Sequence, residues 1–201
     1  MNGSAMYKLG YGLYVLSARD ENKDNACIIN TAIQVTSSPN RIAVTVNKNN
    51  YTHQMIKNTG AFNISVISEK ADFSLFKRFG FSSGLNTDKL EGFDGWLRGL
   101  NGVIYVTENT NAYLSGKVER EIDLGTHTMF IADVTDGEVL SDVPTATYDY
   151  YHKNIKEKPP VNEKKKGYRC KICGYVYEGD ELPADFVCPI CKHGAEDFEK
   201  I

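Results

Sequence analysis

The 201-residue sequence predicts a mainly β fold followed by a small metal-binding module, on three observations. Seven runs rich in Val, Ile, Tyr and Thr occupy residues 12–134 with two short helical stretches among them, a pattern of sheets and not of regularly alternating strand and helix. No Gly-x-Gly-x-x-Gly follows any of these runs, so a parallel dinucleotide-binding sheet is not expected. Two Cys-x-x-Cys pairs, Cys170/Cys173 and Cys188/Cys191, close the chain with fourteen residues between them, a spacing at which four thiolates surround one tetrahedral cation.

The strand-like runs are Gly12 to Ala18, Ala26 to Gln34, Arg41 to Asn47, Ala61 to Ser68, Gly102 to Thr107, Ala112 to Glu119 and Thr126 to Val134. A helix is expected from about Tyr51 to Asn58, with Asn50 as its cap and Gly60 as its stop. A second is expected from about Asp72 to Phe79, ending at Gly80. Many strands and few helices favour a β-barrel.

Hydrophobic residues make up 41% and charged residues 24% of the chain, ordinary values for a globular protein. The net charge of −3 shows no basic field for nucleic acid. No apolar run reaches the roughly 20 residues that span a bilayer. The start, Met1-Asn-Gly-Ser-Ala-Met6, lacks the pattern of a signal peptide. The expected compartment is the cytoplasm, where reduced thiols favour metal binding over disulfides. Residues 156–166 carry five lysines, two glutamates and two prolines without apolar periodicity, and read as a linker. Eleven extended residues reach about 35 Å at ~3.1 Å each. The expected domains are therefore 1–155 and 167–201.

Four cysteines in a reduced compartment hold zinc or iron. Spacing alone favours a structural zinc ribbon acting as a docking element for protein or RNA. The neighbours shift the balance: Tyr168, Tyr175, Phe186 and Phe198 stand around the cysteines, in a segment too short for a large aliphatic core. With Cys170-Lys-Ile-Cys173-Gly174-Tyr175 and Leu182-Pro-Ala-Asp-Phe-Val-Cys188-Pro-Ile-Cys191, the segment resembles rubredoxin. That resemblance implies one iron held by the thiolates of Cys170, Cys173, Cys188 and Cys191. The loop between the pairs is shorter than in free-standing rubredoxins, and Lys192 stands where the family usually has glycine. Positive φ at that lysine would cost about 1–3 kcal/mol.

A one-electron carrier needs a partner group that converts electron pairs to single electrons, and flavin is the class that does so. In the larger segment, Asn47-Lys48-Asn49-Asn50-Tyr51-Thr52-His53 leaves a strand and opens a helix, whose free N–H groups, with Thr52 and Lys48, suit a phosphate. Taken in isolation, these residues favour a plain polar turn with an N-cap. Asn30 to Pro39 alternates polar and apolar residues, as a barrel strand with one wet face does. His127 opens a strand, where a structural hydrogen bond is the ordinary role. In Phe76 to Phe81, Lys77 and Arg78 read as the wet side of an amphipathic helix.

Together and in order, Tyr11-Gly-Leu-Tyr-Val-Leu, Cys27-Ile-Ile-Asn30-Thr31, Gln34-Val-Thr-Ser-Ser-Pro39, Asn47-Lys-Asn-Asn-Tyr-Thr52, Phe79-Gly-Phe-Ser-Ser-Gly84, Gly125-Thr-His-Thr-Met-Phe130 and Thr147-Tyr-Asp-Tyr-Tyr151 resemble the flavin reductase-like family, and within it the flavoredoxin type. The resemblance implies a split β-barrel and one FMN near the interface of a homodimer. It places Asn47, Lys48, Asn50, Tyr51 and Thr52 around the phosphate and ribityl chain. Asn30, Thr31, Ala32 and Ser37 fall near the ring or ribityl side. His127, Tyr148 and Tyr151 flank the ring, from the same or the partner subunit. Cys27 reads first as a buried packing residue and second as a flavin neighbour.

The fusion resembles the high-molecular-weight rubredoxins of anaerobic bacteria. It implies electron flow from NAD(P)H or an upstream reductase through FMN to the iron centre, then to an acceptor such as a flavodiiron protein that reduces oxygen or nitric oxide. Reduction of free flavin as a diffusible substrate is the other enzymatic reading.

Overall fold

The computed structural model describes residues 5, 8–157, 167–172, 174–189 and 193–201. They form two compact units, Met1–Ile155 and Lys156–Ile201. No helix of the described residues is long and apolar enough to cross a membrane.

The first unit is built on strands β1 (Tyr14–Asp20), β2 (Lys23–Ile29), β3 (Ala32–Ser37), β4 (Asn40–Asn47), β5 (Ala61–Ile67), β8 (Thr110–Asp123) and β9 (His127–Val139). They pair in the order β2-β1-β5-β8-β9-β4-β3. Every pairing is antiparallel. One hydrophobic cluster contains Leu16 and Cys27 from one margin of this sheet and Ala32, Ile42 and Val44 from the other. Margins that share one interior belong to a sheet curled on itself, as in a barrel.

β1 is buried on both faces. Leu16 and Ala18 point into the first cluster, while Leu13 and Val15 join a second cluster outside the sheet. This second cluster is closed by helix α2 (Phe73–Gly80) and by the hairpin of β6 (Trp96–Arg98) and β7 (Ile104–Val106). Helix α1 (Tyr51–Thr59) buries Met55 and Ile56 against the barrel. Its cap is Asn50, and it ends at Gly60, whose φ of 68° is left-handed, a conformation glycine adopts without steric cost. α2 is capped by Asp72.

Three features differ from expectation. The run Ala26–Gln34 is two strands, because Thr31 breaks it: its carbonyl accepts from Thr45 N–H at 3.0 Å and its hydroxyl donates to Thr45 C=O at 2.7 Å. The chain thereby passes from one margin of the sheet to the other. Strand β8 also extends past Glu119 to Asp123 in an exposed, charge-rich hairpin with the start of β9, and β9 extends past Val134 to Val139 at the other end of the ladder, paired with the start of β8. After Ala146, helix α3 (Tyr148–Tyr150) runs into a π-type turn over Tyr151–Ile155.

The second unit has a three-stranded sheet, β11-β10-β12, of Val176–Tyr177, Tyr168–Cys170 and Phe198–Lys200. Its interior is aromatic: Phe186 lies 4.8 Å from Tyr177, 5.4 Å from Phe198 and 6.4 Å from Tyr175 between ring centres.

Candidate functional site

The turn from β4 into α1 meets the turn between β8 and β9. Asn47 pairs with His127 across the ladder, and Lys48 N–H donates to Thr126 C=O at 3.0 Å. Asn47, Lys48, Asn50, Thr52 and His127 therefore gather at one end of the barrel. The His127 ring is 2.9 Å from the Thr126 hydroxyl.

Two of the expected phosphate contacts are already engaged. The Asn50 side chain accepts from Thr52 N–H at 3.1 Å, and His53 N–H donates to Asn50 C=O at 2.9 Å. The helix start is closed by its own cap, not left with a row of free donors. The Lys48 ammonium lies 2.7 and 2.8 Å from the two carboxylate oxygens of Asp123, which draws that acid well below the usual carboxylate range.

Between β2 and the end of α2 lies a cation that the sequence did not single out. Lys89 is 5% exposed, and its ammonium donates to Ala26 C=O at 3.0 Å and Phe79 C=O at 2.9 Å. No carboxylate pairs with it among the described residues. Burial pushes its pKa down, with Cys27 pulling the other way. Near it stands Cys27, 3% exposed, which in turn meets Thr52, fully buried, whose hydroxyl accepts from Asn25 at 2.8 Å. Burial pushes the Cys27 thiol up, opposed by hydrogen bonding to Thr52, the charge of Lys89 and hydrogen bonding to Asn50. A buried ammonium with carbonyl partners alone carries a large desolvation cost. An anion at this place removes that cost, so the donors present suit the phosphate of a flavin nucleotide.

Arg78 holds the segment that carries Lys89. Its guanidinium donates to the carbonyls of Lys89 and Glu91, both at 3.0 Å, and lies 5.1 Å over the Phe93 ring. Arg78 is thus a structural clamp as well as part of a wet helix face. Gly84 approaches so closely that an added Cβ would stand 2.1 Å from the Asn25 side-chain oxygen.

The other expected cofactor residues are more spread out. Thr31 is tied to Thr45, and Ala32 is buried. Ser37 pairs with Asn40 at the opposite end of the β3–β4 ladder from Asn47. The Tyr51 ring lies under the Lys23 ammonium at 4.9 Å. Within one chain Tyr148 and Tyr151 are not brought to the α1 turn. Both pack on the second cluster, with Tyr151 4.4 Å from Phe76 of α2. A cleft of about 410 Å³ opens beside β3, lined by Tyr14, Ala32, Ile33, Ile64, Leu114 and Val134 among others. Of the expected cofactor residues, Ala32 alone reaches it.

In the second unit Cys170 is 1% and Cys188 0% exposed. Gly174 N–H donates to Cys170 C=O at 2.9 Å, Cys170 N–H to Tyr175 C=O at 2.8 Å and Cys188 N–H to His193 C=O at 2.8 Å. Gly174 has a φ of 81°, which closes the tight turn after the first pair. Cys173, Cys191 and Lys192 lie outside the described residues, and among those described no three metal-binding side chains meet. Buried thiols in tight turns suit a soft or borderline cation such as iron or zinc.

The flavin reductase like domain model matches residues 6–158, and the rubrerythrin, rubredoxin-like domain model matches residues 168–199. A high molecular weight rubredoxin of Moorella thermoacetica is 37% identical over the whole of both chains. A ferric-chelate reductase (NAD(P)H) of Archaeoglobus fulgidus is 39% identical over 80% of this chain and 94% of its own. Among solved structures, a flavoredoxin from Methanosarcina acetivorans superposes with a TM-score of 0.61 at 20% identity, over 69% of this chain and 73% of that one. An NADH:FAD oxidoreductase from Streptomyces globisporus gives 0.63 at 18%, over 71% and 84%.

Proposed function

Since the chain belongs to the flavin reductase-like family and ends in a rubredoxin-like domain, we propose that it takes electron pairs from NAD(P)H, or from an upstream reductase, into FMN and passes them singly to a four-thiolate iron centre. It is an oxidoreductase of the electron-transfer kind, with flavin and iron as its cofactor classes and a nicotinamide as its donor class. When bound, the flavin handles two electrons and the iron one.

The chain's own residues bind and position. Lys89 neutralises the phosphate, with Asn25 and Thr52 fixed beside it. Asn47, Asn50, Tyr51 and Lys48 border the ribityl side. Asn30, Thr31, Ala32 and Ser37 follow the ring along β3, and His127, Tyr148 and Tyr151 flank it, the tyrosines from the partner copy. Cys170, Cys173, Cys188 and Cys191 hold the iron, and the rings around Phe186 keep water from it. The division into 1–155, a linker at 156–166 and 167–201 separates the two tasks.

The observation that carries this reading is the buried ammonium of Lys89, without a carboxylate partner among the described residues, in the same chain as two buried thiols in tight turns. The acceptor we favour is a flavodiiron protein, which a basic patch would match to the seven acidic and four basic residues of 167–201.

A homodimer is part of the proposal. On the outer face of the β3-β4-β9-β8 sheet, Ile33, Ala43 and Ile131 form one row and Thr45, Met129 and Ile122 the next, beside Asn47 and His127. Ile33 is 63% and Ile122 39% exposed. A second copy on this face would cover them and complete the ring site.

The test uses the full chain, produced with ample iron and riboflavin. Anaerobic mixing with NADH and with NADPH should bleach flavin first and ferric–thiolate absorption second. Cys188→Ser should keep the first phase and abolish the second, together with electron delivery to a flavodiiron acceptor. Unchanged delivery in that variant refutes the route. A ferric chelate reduced equally well by Cys188→Ser would support direct exit from the flavin, the activity for which the Archaeoglobus fulgidus relative is named.

A further inference from the structure

Lys89 belongs to a loop, residues 81–91, that follows α2 and is pinned at three points. Its own ammonium donates to the carbonyls of Ala26 in β2 and Phe79 in α2. Gly84 is buried against Asn25, where an added Cβ would run into the amide. The half-buried Arg78 holds the far end, donating to the carbonyls of Lys89 and Glu91 and covering the Phe93 ring. Phe79 and Phe93 meet edge to face at 5.5 Å in the second cluster, so the residues that flank the loop are anchored in the core. The Lys89 ammonium is thereby bounded by β2, by the end of α2 and by its own loop.

A flavin mononucleotide ends at its phosphate, which a closed pocket end can hold. A flavin dinucleotide carries a second phosphate and an adenosine beyond the first, and these need a way out. We propose that the pinned loop closes the site behind the phosphate, so that it takes a flavin mononucleotide and rejects the dinucleotide, with Arg78 as the residue that sets this choice. Arg78 acts through the loop and not on the ligand, as a positioning residue. A wall of this kind discriminates by obstructing the wrong ligand without strengthening the right one. The inference rests on the assignment of Lys89 to the flavin phosphate.

The experiment is an equilibrium titration of the flavin-free full chain with FMN, FAD and riboflavin, read by flavin fluorescence. Wild type should bind FMN at least about tenfold more tightly than FAD. Arg78→Ala releases the far end of the loop and should narrow that preference by about threefold or more, with little change for riboflavin. Arg78→Lys keeps a donor for the two carbonyls and should stay nearer to wild type. Amide hydrogen exchange reads the loop itself: residues 85–89 should exchange faster in Arg78→Ala than in wild type. An unchanged preference in Arg78→Ala overturns the proposal, whether or not the loop exchanges faster. The wild-type arm needs no variant. FMN and FAD bound equally, and both more tightly than riboflavin, overturn the proposal while leaving Lys89 facing a phosphate. FMN and riboflavin bound equally overturn the phosphate assignment itself, and this inference with it.

Discussion

Replacing Lys89 by methionine keeps a long side chain and removes its charge. Two effects follow, and they are separable. Without ligand, the carbonyls of Ala26 and Phe79 lose their donor, while the cost of burying an ammonium disappears, so the change in stability is a difference of opposing amounts. With FMN, a charge-assisted hydrogen bond to the phosphate is lost, about 1.5–3 kcal/mol. At 1.4 kcal/mol per tenfold, that is roughly 10- to 150-fold in affinity. Riboflavin lacks the phosphate and supplies the second arm of a double-perturbation cycle. Equilibrium titrations by flavin fluorescence, on wild type and Lys89→Met with FMN and riboflavin, give the coupling directly. The expected coupling is at least 1.5 kcal/mol: FMN weakens strongly and riboflavin much less. If both ligands weaken by the same factor, Lys89 does not face the phosphate and the assignment of the site fails. Urea midpoints of the two apoproteins, measured in parallel, show how much of any loss is folding.

Three further outcomes are expected. His53 lies in α1 with its ring 2.8 Å from the Thr128 hydroxyl, and burial, then Lys57 and Lys48, hold its pKa below 6.5. The unfolded chain binds the proton more readily, so stability should be full above pH 6.5 and fall as pH drops through the lowered value; His53→Gln should flatten that slope in thermal melts between pH 5 and 7.5. Gly116→Ala should cost about 1–3 kcal/mol in urea unfolding, because its Cβ would stand 2.5 Å from the ring of fully buried Phe62. Ile122→Asp, on the exposed face of β8, should yield monomers in sedimentation equilibrium and weaken FMN binding; a dimer of wild-type affinity would place the interface elsewhere.

The parts of the fold visible in the sequence are those set by local chemistry. Asn50, Asp72 and Gly60 mark helix ends because capping and left-handed turns depend on the residue itself. The flavin reductase-like architecture was legible through many weak motifs in one order. The break at Thr31 was not, since it is made by Thr45, fourteen residues on. β6 escaped notice because three residues carry no periodicity. Lys89 escaped for a stronger reason. Between Asp88 and Leu90 it reads as an ordinary surface lysine, and only the clamp of Arg78 on the carbonyls of Lys89 and Glu91 turns it inward. The capping signal at Asn50 was legible, and the structure adds that the capping side chain engages the Thr52 N–H.

The two units depart from ordinary burial in opposite ways, and each departure points to the group the unit holds. The large unit has enough aliphatic residues for two separate clusters, yet it also encloses an ammonium, an amide, a hydroxyl and a thiol. A core optimised for stability alone would fill that space with carbon, because an uncompensated charge there costs several kcal/mol. The small unit cannot build such a core. It uses four rings, and the thiols Cys170 and Cys188 are among its least exposed described side chains. Local consistency fails where function sets the requirement: on the function proposed above, the first unit's buried ammonium answers to an anion and the second unit's thiols to a cation. A phosphate-bearing flavin and a thiolate-bound metal satisfy these opposite demands without any exchange of ligands between the units, so cofactor loading should be independent at the two sites while electron flow requires both.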